Sequence, residues 1–70
     1  MMIADELRLY TKLRALEVPC TFDASRMTHD ERCETLRAAV SLVPEVTFTI
    51  RDGKRITMGQ EFASVFGESL

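Results

Sequence analysis

Between Ile3 and Val18, apolar side chains recur at helical spacing, and the good helix formers Arg, Leu, Lys, Glu and Ala dominate. This pattern predicts a helix over 3–18, stopped by Pro19, which disfavours helical geometry in the preceding Val18. Its apolar positions form two stripes. One holds Ile3, Leu7 and Tyr10; the other holds Met2, Leu9, Leu13 and Leu16. On a helical wheel the stripe centres stand roughly 100–120° apart. Glu6 and Glu17 fall between them, and Asp5, Arg8 and Lys12 fill the far side. The helix therefore has two apolar faces, where a single small core needs one.

Residues 19–27 read as a connector. Val18, Cys20 and Phe22 alternate, so a short extended segment is an option there, and Asp23 and Ser25 suit turns. Thr28 and Glu31 then make a capping box, with Asp30 and Glu31 placing negative charge at the positive end of a helix dipole. The predicted helix runs over 28–43 to Pro44. Its apolar stripe is Cys33, Leu36, Val40 and Val43, with His29 in line one turn earlier and Ala39 and Leu42 widening it.

Residues 45–58 predict a β-hairpin whose register can be argued. A two-residue Asp52-Gly53 loop pairs Phe48 with Thr57, which puts the apolar sets of the two strands on opposite faces. A three-residue loop, Arg51-Asp52-Gly53, pairs Ile50 with Lys54, Phe48 with Ile56 and Val46 with Met58. One face is then apolar throughout. A one-residue slip turns every side chain over, so the three-residue loop is expected, with Gly53 left-handed. Gly59 breaks the strand, and 60–66 predicts a short helix presenting Phe62, Val65 and Phe66 before Gly67. The second helix and the two C-terminal phenylalanines are the expected cover for the hairpin. The expected fold is a small single α+β domain over 1–70, in the order α-α-β-β-α.

Seventy residues leave room for one domain, and a chain so short needs every bit of burial it can find. With 46% hydrophobic and 29% charged residues it has the composition of a folded chain rather than a disordered one. Nine basic against eleven acidic residues give a net charge of −2, which argues against general polyanion binding. No apolar run approaches the roughly 20 residues of a membrane span. The opening Met1 to Glu6 has no basic region, so a signal peptide is not expected. Two cysteines do not make a disulfide scaffold, and a reduced, cytoplasmic protein is the expectation.

Cys20, His29 and Cys33 are the soft metal ligands, but a structural zinc site wants four, and buried cysteine often serves as a small hydrophobe. No bound metal or other cofactor is expected. A Cys–His nucleophile and base would lack an orienting third group, so no catalytic residue is assigned and the chain reads as a non-enzyme. The second helix followed by a hairpin with Arg51, Lys54 and Arg55 at its tip resembles the helix-plus-wing part of a winged helix. That resemblance implies contact of the tip with DNA phosphates. Against it, the acidic start of the helix repels a phosphate backbone, and Arg51 and Lys54 equally suit charges that block edge-to-edge strand pairing.

The reading that follows is a small protein-binding regulator or inhibitor docking on a larger protein machine, bacterial or phage-borne, and forming a homodimer. The expected contact residues are the Leu9, Leu13 and Leu16 seam, and the acidic patch Asp30, Glu31 and Glu34, suited to a cationic target. The alternative is a DNA-binding accessory factor using Arg51, Lys54 and Arg55. Neither a membrane nor a small-molecule substrate is expected as a partner.

Overall fold

In a computed structural model, which describes residues 3–70, the polypeptide runs through α1 (Ile3–Ala15), α2 (His29–Val40), β1 (Thr47–Thr49), β2 (Arg55–Thr57) and α3 (Met58–Phe66). This is the α-α-β-β-α order of a small α+β domain. The radius of gyration, 11.2 Å, matches the about 11 Å expected of one folded body of this length. Among the described residues no helix is long and apolar enough to cross a membrane.

Helix α1 ends at Ala15, three residues short of the predicted boundary. Glu17 adopts a left-handed conformation (φ 60°). Its amide donates to Arg14 O at 2.9 Å, and the Val18 amide donates to Leu13 O at 3.0 Å. These two bonds form a Schellman motif, with Val18 folding back into the core beside Leu13. The chain has thus already turned before it reaches Pro19.

The two stripes of α1 exchange the roles the wheel suggests. Leu9 and Leu13 are wholly buried within the single chain, while Ile3 and Leu7 stand 42% and 43% exposed. The expected Leu9–Leu13–Leu16 seam is therefore not an open surface. Only Leu16, at 41%, remains accessible; Met2 lies outside the described residues. Glu6 is buried in line with Leu9 and Leu13, a position a carboxylate takes only with a partner. That partner is Arg32 of α2, whose Nε lies 2.6 Å from Glu6 Oε1 and whose Nη1 donates to Met27 O at 2.8 Å.

Thr28 is the N-cap of α2, as its capping-box spacing implies, and the box with Glu31 is complete: Thr28 N donates to Glu31 Oε1 at 2.8 Å and Glu31 N to Thr28 Oγ1 at 3.2 Å. The helix stops at Val40, because Leu42 and Val43 donate to carbonyls only three residues back, Ala39 and Val40. This tightening swings Leu42 into solvent, so it does not widen the buried stripe. Cys33, Leu36, Ala39 and Val40 pack with Leu9, Leu13, Met58, Phe62 and Phe66 into one core.

The hairpin pairs Thr47 with Thr57, Phe48 with Ile56 and Thr49 with Arg55, the register of the three-residue loop. Ile50 N donates to Lys54 O at 2.8 Å, and Gly53 sits at φ 89°. The Cys20 segment takes no part in the sheet, which has two strands. Helix α3 begins two residues earlier than predicted. Thr57 is at once the last residue of β2 and the N-cap of α3, in a second capping box with Gln60. The cover of the hairpin also differs from expectation. Phe62 and Phe66 turn toward α2, where the Arg37 guanidinium lies 5.0 Å from the Phe62 ring and His29 is 5.8 Å from that of Phe66. The apolar side of the hairpin faces α1 and α3 instead.

Candidate protein-binding face

A groove runs between α1 and β1. At one end Ala15, Leu16, Val46, Thr47, Phe48 and Met58 surround an apolar hollow of about 180 Å³. At the other, toward the hairpin tip, a broader hollow of about 440 Å³ lies among Asp5, Arg8, Phe48, Thr49, Ile50, Arg51 and Glu61. Lys12 lines both. Its ammonium is 3.0 Å from Glu61 Oε2 and 4.6 Å from the centre of the Phe48 ring. The side chain thus straps the groove at mid-length, held by an ion pair and a cation–π contact. On the wheel Lys12 falls on the solvated side, and nothing local signals this role.

The register determines what β1 offers along this groove. Bonds at Ile50–Lys54 and Val46–Met58 turn the alternate residues Val46, Phe48 and Ile50 toward β2 with their backbone groups. The amides and carbonyls of Thr47 and Thr49 therefore point away from the hairpin. No other backbone group among the described residues engages them. Val46 is 36% exposed and Phe48 and Ile50 are half-buried, so the apolar side of the strand is covered only in part.

Of the other predicted residues, Arg51 alone lines the groove. Asp30, Glu31 and Glu34 are exposed on α2, but Glu31 is committed to the capping box and Glu34 pairs with Arg37 at 3.4 Å. Arg51, Lys54 and Arg55 are exposed at the hairpin tip, as the sequence suggests. Arg55 is tied down by Thr47 Oγ1 at 2.5 Å, and the Lys54 amide by Asp52 Oδ1 at 3.0 Å. Arg51 reaches the broad end of the groove.

Cys33 is buried among core side chains, 3.9 Å from both Glu68 Oε1 and Arg37 Nη2. Burial pushes its thiol up from the ordinary range, and Glu68 adds to this against the opposing pull of Arg37. Burial likewise raises the half-buried Cys20 thiol. Raised thiols are poor nucleophiles. Both cysteines are free, and no group of three or more His, Cys, Asp or Glu side chains among the described residues is arranged to hold a metal ion.

Three side-chain arrangements fix the elements around this face: the Glu6–Arg32 pair between α1 and α2, the Lys12 strap and the Thr57–Gln60 box. Only the last has a local signal, the spacing Thr-x-x-Gln. No protein-family model, no curated protein and no solved structure matches the chain.

Proposed function

We propose that the protein is a small non-catalytic regulator or inhibitor that docks on a larger protein, and that it self-associates. In this reading an extended segment of the target adds to the free edge of β1 and sets its apolar side chains in the groove beside α1. The observation that carries the reading is the coincidence of unpartnered Thr47 and Thr49 backbone groups with an apolar hollow lined by Leu16, Val46 and Phe48. Strand addition draws affinity from main-chain bonds and specificity from such a pocket. Arg51, without an ion-pair partner among the described residues, suits an acidic side chain at the tip end of the segment. The acidic rim of α2 at Asp30, Glu31 and Glu34 suits a cationic surface on the same target. Free thiols fit a reducing, cytoplasmic setting.

Capture experiments with matched variants test this. Leu16→Asp and Val46→Asp change accessible side chains and should leave the helical circular dichroism signal intact. A protein retained by the unmodified chain and lost by both variants is the expected result. Retention by both would overturn the groove as the docking site. Salt-sensitive duplex DNA binding, abolished by Arg51→Ala with Lys54→Ala and Arg55→Ala, would move the function to the hairpin tip.

A further inference from the structure

The exposed face of α1 carries its own site. Ala4, Leu7, Arg8 and Thr11 occupy positions i, i+3, i+4 and i+7, the diamond that receives one apolar knob from a facing helix. A shallow hollow of about 440 Å³ lies over these four residues and the stem of Lys12. Leu7, at its border, is itself 43% exposed, and Ile3 extends the apolar strip by one turn. The charges beside the strip are graded along the helix. Asp5 lies near the N-terminus and Arg8 and Lys12 follow it, with Asp5 already bound to Arg8 in the same chain.

We propose that a second copy of this chain packs on that face, with the two α1 helices antiparallel. Leu7 of each copy then enters the diamond of the other. A two-fold axis that seats Leu7 in this way sets Ala4 against the partner's Thr11 and Asp5 beside the partner's Arg8, while Lys12 stays on Glu61 of its own chain. The charge run is complementary to itself when read in reverse, and antiparallel helix dipoles also attract. A parallel pair has neither match. The inference rests on the reading of the protein as a binding module; its face adjoins the target groove at Arg8 and Lys12 but contains neither Leu16 nor Val46.

A helix of 13 residues is about 20 Å long. One such face falls short of the about 800 Å² per partner usual in stable complexes. The dimer is accordingly expected to be weak and to dissociate on dilution.

Sedimentation equilibrium between roughly 10 µM and 1 mM reads this directly, since that range spans free energies of about 4–7 kcal/mol, where weak association is populated. The expected result is a monomer–dimer equilibrium weakened more than tenfold by Leu7→Asp with helicity retained. Asp5→Lys and Arg8→Glu should each weaken the homodimer, and an equimolar mixture of the two should restore association. In a mixed-label sample, isotope-filtered NMR should show Ile3 methyls of one copy near the Thr11 methyl of the other. A monomer at the highest concentration would overturn the proposal, as would a dimer indifferent to Leu7→Asp or an Ile3–Ile3 cross-peak in place of Ile3–Thr11. Leu16→Asp and Val46→Asp should leave self-association unchanged, so failure of the target groove and failure of the α1 pair give separate results.

Discussion

Arg32 places its Nε 2.6 Å from Glu6 Oε1, joining α2 to α1 at a carboxylate with no solvent exposure. The Arg32 side chain itself is only 12% exposed. Glu6 Oε2 accepts no hydrogen bond among the described residues. The carboxylate thus relies on one guanidinium for its compensation.

Removing that guanidinium strands a buried charge, which costs about 3–5 kcal/mol in comparable sites. A chain of this length has a total stability of only about 4–10 kcal/mol. Arg32→Ala should therefore unfold the protein or bring its urea midpoint close to zero. Glu6→Leu combined with Arg32→Met should recover most of the loss, because apolar replacement of a buried pair is often neutral or better. Equal urea midpoints for Arg32→Ala and the unmodified chain would contradict the structure.

The leucines of α1 should separate sharply by position. Leu9→Ala and Leu13→Ala each empty a fully buried site and should cost about 2–5 kcal/mol. Leu7→Ala, at an accessible site, should cost less than about 1 kcal/mol of monomer stability. Leu13→Asp should unfold the chain rather than yield a folded monomer. Denaturant titrations at a concentration below the dimer equilibrium would give the order. A Leu7 cost matching that of Leu13 would mean the wrong stripe has been placed in the core.

Glu17 holds a left-handed backbone where glycine is the usual resident. Glu17→Gly relieves that strain at an exposed position, and should raise stability by about 0.5–1 kcal/mol, visible as a higher thermal midpoint. A loss of stability would show that the Glu17 side chain carries more than its backbone costs.

The Cys33 thiol is raised from its ordinary value of 9.0 by burial first and by Glu68 second. The folded chain holds this proton more tightly than the unfolded chain does. Its contribution is therefore complete below the unfolded thiol pKa and is lost as pH climbs through the folded one. Stability should fall at alkaline pH, and Cys33→Val should flatten that fall relative to the unmodified chain. Thiol labelling at neutral pH should be slow in the folded state and fast in urea. Rapid labelling of Cys33 in the folded protein would contradict its burial.

Some of this architecture is legible residue by residue. The hairpin register follows from side-chain alternation alone, since only one loop length brings Phe48 and Ile56 to the same face. The Thr28 box is likewise local. The choice between the two stripes of α1 is not. Each has comparable apolar content, and Glu6, which a wheel sets between them, joins the buried one although its charge favours water. What reverses that preference is Arg32, supplied by a different helix. Lys12 presents the same difficulty: its role depends on Phe48 and Glu61, brought alongside only when the chain is folded. The end of α1 is not legible either, because Glu17, unlike glycine, does not advertise a left-handed turn.

Thr57 belongs to strand and helix at once, and the junction between β2 and α3 contains no intervening residue. The amides of Met58 and Gly59 are also fastened to Val46 and Pro44, at the entrance to the hairpin. The hairpin entrance and the start of α3 are thus joined both along the chain and across it. Whatever seats itself along the β1 border is thereby tied through two main-chain bonds to the root of α3, whose Phe62 lies at the centre of the molecule.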